Sequence, residues 1–119
     1  MSKILTQNQL RAYHRDKLKL RDMTCTLKSL RNALGRGVEE TDIADFEEGM
    51  ELMAHKLESM KEDVAETLAS IEDPLARQAA RLHFLQGLQW GEVAGAMGVT
   101  TCSVKAMVNR EIRKIVPQK

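Results

Sequence analysis

The chain has 119 residues, 43% of them hydrophobic and 29% charged, which fits one folded domain, or a small domain with an appended helical arm, and excludes a disordered chain. Its formal net charge of +1 would by itself argue against a nucleic-acid partner. The distribution reverses that reading: residues 1–36 carry a net +7, residues 37–73 a net −11 and residues 74–119 a net +5.

Other classes fall away on simple grounds. No apolar run reaches the roughly 18 residues a transmembrane helix needs, so no membrane partner is expected. The opening residues hold no long apolar stretch, so no secretory leader is expected. Cys25 and Cys102 lie far apart without a CxxC pair or histidines at ligand spacing. A reducing cytoplasm is therefore the expected location, with no disulfide or zinc framework. Few aromatics, two prolines and little alternating hydrophobicity favour an all-α fold.

The first helix is expected from near Thr6 to Leu34. Leu20, Met23, Leu27, Leu30 and Leu34 step by three and four residues, and Tyr13 extends the series. Gly35 supplies a stop. A second helix should begin near Thr41 or Asp42, either of which can cap it. Ile43, Met50, Leu57, Val64 and Ile71 repeat every seven residues, with Phe46, Met53 and Met60 between them and Thr67 breaking the set. Asp73-Pro74 closes this helix and opens the next. Two stripes and a short loop predict a long antiparallel, coiled-coil-like helical hairpin over residues 1–72. The same stripes can instead zip two chains into a homodimer. The opposite charges attract along the flanks, but exposed pairs contribute only about 0.2–1 kcal/mol each, so buried apolar surface must dominate.

Residues 73–119 read as a second unit, a three-helix module. Leu75, Ala79, Leu82 and Leu85 mark a short amphipathic helix that stops at Gly87. The following window meets the steric demands of a helix-turn-helix. Ala94 is small where two helices must cross closely, Gly98 suits the turn, and Thr100 can cap the second helix. Val93, Met97, Val99, Val104 and Met107 supply the apolar lock. Thr101, Cys102, Lys105, Ala106, Asn109 and Arg113 then project outward, while Val104, Met107, Val108, Ile112 and Ile115 face inward.

The stretch LHFLQGLQWGEVAGAMGVTTCSVKAMVNREIRKI resembles the last promoter-reading module of bacterial sigma factors, region 4. Gly87, Glu92, Val93, Ala94, Met97, Gly98, Val104 and Ile112 fall on that family's pattern, while Glu111 stands where a small residue is usual. The order of helical arm and C-terminal module is similar to that of small phage or prophage regulators. The resemblance implies a sequence-specific transcription regulator that binds double-stranded DNA, with RNA polymerase as a further partner.

A helix-turn-helix lays its second helix, here 101–113, in the major groove. Lys105 is suited to guanine, Asn109 to adenine, and Thr101 to a base edge or a phosphate. Arg110, Arg113 and Lys114 are placed to neutralise phosphates, and Arg77 and Arg81 to add backbone contacts. Thr100, Cys102, Ser103 and Ala106 complete the expected DNA-facing set. No phosphate loop, metal-ligand spacing or nucleophile-and-base arrangement is present, so no enzymatic activity, metal or cofactor is expected. Two other readings fit the composition: an adaptor that contacts RNA polymerase or a host factor through its acidic arm, and a small DNA-packaging, terminase-like recognition subunit. His14, His55 and His83 read as surface or boundary residues, and Trp90 as a packing anchor.

Overall fold

The computed structural model describes residues 4–116; residues 1–3 and 117–119, the first of which belong to the stretch read above for a leader, lie outside it. The described residues are all-helical, with no named strand. Five α-helices follow one another: α1 (Gln7–Asn32), α2 (Glu40–Ala69), α3 (Pro74–Ala80), α4 (Trp90–Met97) and α5 (Thr101–Ile115). A π-helical turn, Arg81–Leu85, continues α3. No helix among the described residues is long and apolar enough to cross a membrane.

α1 starts where its sequence demands. The Thr6 hydroxyl accepts from Gln9 N at 3.1 Å, and the Gln9 side chain accepts from Thr6 N at 2.8 Å, a reciprocal cap. α2 begins at Glu40, one residue before Thr41. Glu39 is its cap residue, and Asp42 accepts from Glu39 N at 2.9 Å, so Asp42 serves from the first turn rather than from the cap position. Asp73 caps α3 by accepting from Leu75 N at 3.2 Å, ahead of Pro74.

Leu5 lies against Thr67, Asp16 against Lys56 and Arg31 against Glu47, so α1 and α2 run antiparallel. Thr67, which interrupts the apolar heptads, is fully buried. Its hydroxyl accepts from Leu5 N at 3.0 Å and donates to the Asp63 carbonyl at 2.8 Å. A buried hydroxyl with both functions used costs little, and here it ties down the entry to α1.

One core cluster joins both ends of the sequence. Leu10 and Tyr13 of α1 and Val64 and Leu68 of α2 pack in the same cluster as Ala79, Phe84, Val93, Val104 and Ile112. Farther along, Met23, Leu27 and Leu30 are only half-buried and Leu34 is exposed. The far part of the α1–α2 pair is thus a thin two-helix layer, while its near part belongs to the core. The short helix after Pro74 follows its expected stripe in part: Ala79 is buried and Leu82 and Leu85 pack against the core, but Leu75 does not. Leu75 is 63% exposed, and the buried residues are Ala76, Ala79 and Ala80. Alanines let α3 approach α5 closely, and Leu75, one position off that face, turns outward.

Candidate nucleic-acid interface

α4 and α5 are joined by the three residues 98–100. Gly98 stands at φ +69°, ψ +32°, a left-handed conformation that costs other L-residues about 1–2 kcal/mol. Val99 N donates to the Ala94 carbonyl at 3.1 Å, closing α4. The Thr100 hydroxyl accepts from Ser103 N at 3.2 Å and caps α5. Val93 and Ala94 are buried at the α4 side of this junction. Val99 departs from its expected place: it is 44% exposed, because the turn carries it away from the core.

α5 is two-faced. Val104, Val108 and Ile112 are buried, with Met107 and Ile115 half-buried beside them. Thr101, Cys102, Ser103, Lys105, Ala106, Arg110, Arg113 and Lys114 are exposed, as is Thr100 at the cap. Asn109 is half-buried. Thr101, Lys105, Asn109 and Arg113 recur every four residues and form one ridge. Lys114 is paired with Glu111 at 2.7 Å, and Glu111 is itself 7% exposed, so this buried carboxylate holds the lysine against the helix. Arg81 is exposed on the π turn. Arg77 is half-buried and donates from Nη1 to the Ile71 carbonyl at 2.9 Å, which fastens the α2–α3 connection.

Beside α5 lies a feature that the sequence did not display. His83 is buried, with its ring centroid 3.6 Å from that of His14 and 3.6 Å from that of Trp90, nearly parallel to both. Phe84 meets His83 edge-on at 4.7 Å. His83 is therefore not a surface or boundary residue, because the π turn and α1 enclose it, whereas His14 is half-buried at the boundary. The Leu88 carbonyl accepts from His14 Nε2 at 2.9 Å, while His83 Nδ1 is buried with no hydrogen-bond partner among the described residues. Burial, then the neighbouring His14 and Lys105, push the His83 pKa down to about 3. His14 is also lowered, chiefly by burial. Both rings are thus held neutral, as a low-polarity stack requires.

α1 is clamped to this region by charge as well. Arg21 Nη1 and Nη2 donate to the two Glu92 carboxylate oxygens at 2.9 and 3.1 Å. Glu92 also accepts from Gln89 N at 3.0 Å, capping α4. The Arg21 hydrogen bond and that backbone donor hold the Glu92 carboxyl down to about 2. Gly87, at φ +73°, passes so close to α1 that an added Cβ would sit 3.3 Å from the Lys17 Cβ.

The stack forms part of a groove of about 640 Å³ between α1, the π turn, α4 and α5. Lys105 and Asn109 line it from α5, and Gln7 and Arg11 line it from α1. Two of the expected base-reading residues therefore share a groove with the first helix. Sequence spacing could not reveal this, because the partners lie some ninety residues apart. Among the described residues no cluster of His, Cys, Asp and Glu is arranged to hold a metal ion. Comparison of the chain with protein-family profiles, with curated proteins and with solved structures finds no match.

Proposed function

We propose that the chain is a sequence-specific DNA-binding transcription regulator of phage or prophage type. In this reading α4, the Gly98 turn and α5 act as a helix-turn-helix, and α1 with α2 form a hairpin arm that supports it. The observation that carries the reading is the two-faced α5. Its apolar side packs against the core, and its free side offers hydroxyl, amide and cationic groups on one ridge beside a capped N-terminus. That combination suits entry into a major groove: Lys105 and Asn109 read base edges, and Arg110 and Arg113 contact phosphates. Arg77 and Lys114 have structural partners already, so their contribution to phosphate binding is secondary.

The acidic α2 favours a second reading on one observation. Leu52 is 68% exposed and flanked by the exposed Glu48 and Glu51, an apolar point in a negative field. Such a surface suits a protein partner, RNA polymerase included, rather than nucleic acid. The two readings are compatible within one regulator.

Selection of binding sites from fragmented genomic DNA with the purified full chain tests the proposal. A recurring duplex motif, enriched over input and lost at high salt, is the expected result. Recovery of fragments without any shared motif would contradict sequence-specific reading.

A further inference from the structure

We propose that the groove between α1 and the α4–α5 pair is a binding site for a small planar anion: a flat aromatic ring carrying one carboxylate or phosphate. Its volume of about 640 Å³ lies within the range of about 300–1,000 Å³ typical of small-molecule sites. Its lining joins two kinds of group such a ligand needs. The outer rings of the stack, His14 and Trp90, line the groove and provide π surface against which a further ring can lie, while both faces of His83 are already covered. Arg11 of α1 and Lys105 of α5 bring positive charge from two different helices.

The charge balance of the groove is one-sided. The chain has 17 acidic residues, yet among the described residues no Asp or Glu lines this groove. Among the described residues neither Arg11 nor Lys105 has an ion-pair partner. Two unpaired cations over a neutral aromatic wall attract an anion and leave its ring a dry surface. Gln7 and Asn109 add amide groups for orientation. An Arg at this place also binds a carboxylate or phosphate through two parallel N–H bonds, which a single lysine cannot do.

Occupation has a consequence that rests on the DNA-reading proposal: a ligand held by Lys105 and Asn109 takes two base-reading groups away from the duplex. The ligand then acts as a releasing effector. The site itself does not depend on that reading.

The test uses the ¹⁵N-labelled full chain and two probe pairs: AMP with adenosine, and 1-naphthoate with 1-naphthamide. Saturable NMR shifts centred on the Trp90 indole, Lys105 and the Asn109 side-chain amide are expected with a charged probe. The uncharged counterpart should bind at least about tenfold more weakly, and Arg11→Ala should weaken the charged probe by about tenfold. Arg11 is exposed, so its removal leaves the fold intact. Response to AMP alone assigns the anion to a nucleotide, and response to naphthoate alone to an aromatic carboxylate. The proposal is overturned if neither charged probe shifts these signals, if the uncharged partners do so equally, or if Arg11→Ala changes nothing. Probe binding to a chain that binds no DNA would keep the site and remove the DNA reading.

Discussion

His83 concentrates the chemistry of this chain in one ring. An ordinary histidine titrates near 6.5, whereas this one is pushed down to about 3 by burial, His14 and Lys105. The unfolded chain therefore takes up a proton as pH falls below about 6.5, and the folded chain does not until near 3. Stability contributed by the neutral stack is complete above about pH 6.5 and is lost as pH falls toward the folded value. The slope has an upper limit of about 1.4 kcal/mol per pH unit for one proton. Urea unfolding at several pH values should show this loss already between about pH 6.5 and 5. His83→Phe, which keeps a ring and removes the titration, should flatten it; an unchanged slope would remove His83 as the cause. Glu92 acts in a lower window, since its carboxyl is held down to about 2 and releases its stabilisation only below the usual carboxylate range. The glycines separate in a similar way. Gly98→Ala meets nothing within 4 Å and bears only the left-handed backbone cost of about 1–2 kcal/mol, whereas Gly87→Ala must also displace Lys17. Gly87→Ala should be the more destabilising of the two in the same urea assay.

At the scale of elements, the helices differ in how firmly they are held. The near part of α1 buries Leu10 and Tyr13, and the late part of α2 buries Leu57, Val64 and Leu68. Around Met23–Leu30 and across the loop to Asp45 the layer is thin, with Ile43 the one buried side chain of that stretch. Hydrogen exchange should therefore be faster for residues 24–50 than for residues 8–20 and 57–68. Uniform protection along the arm would point to a covering partner, such as a second copy. Helix positions were largely legible in the sequence, because Thr6, Pro74, Gly98 and Thr100 act locally. The face of α5 was legible too, since a period of 3.6 separates Val104, Val108 and Ile112 from Lys105 and Arg113. In the stripe after Pro74 only Leu75 departs from expectation, because close approach to α5 selects the alanines, while Leu82 and Leu85 pack against the core. His83 was invisible because its burial depends on a π turn and on α1, some seventy residues away.

At the scale of the molecule, the near-neutral total conceals a separation of charge. α2 carries most of the carboxylates, whereas the cations of α5, Lys105, Arg110, Arg113 and Lys114, are all exposed. On the proposed DNA-binding reading, the acidic helix repels phosphate and confines binding to one face. The arm also completes the core, because Tyr13, Leu10, Val64 and Leu68 pack in one cluster with the residues of α3 to α5. A fragment of residues 73–119 should accordingly lose much of its helical circular dichroism relative to the same segment in the full chain. Retention of full helicity would show that the C-terminal part folds without the arm.

The central claim is that the free ridge of α5 reads DNA. It is tested most directly by fluorescence anisotropy with a selected duplex and the double variant Lys105→Glu, Arg110→Glu. Both side chains are exposed, so helical circular dichroism should not change. The account predicts that duplex binding is abolished, since one reader and one phosphate contact become repulsive. Binding at the affinity of the unaltered chain, with its fold intact, would contradict it.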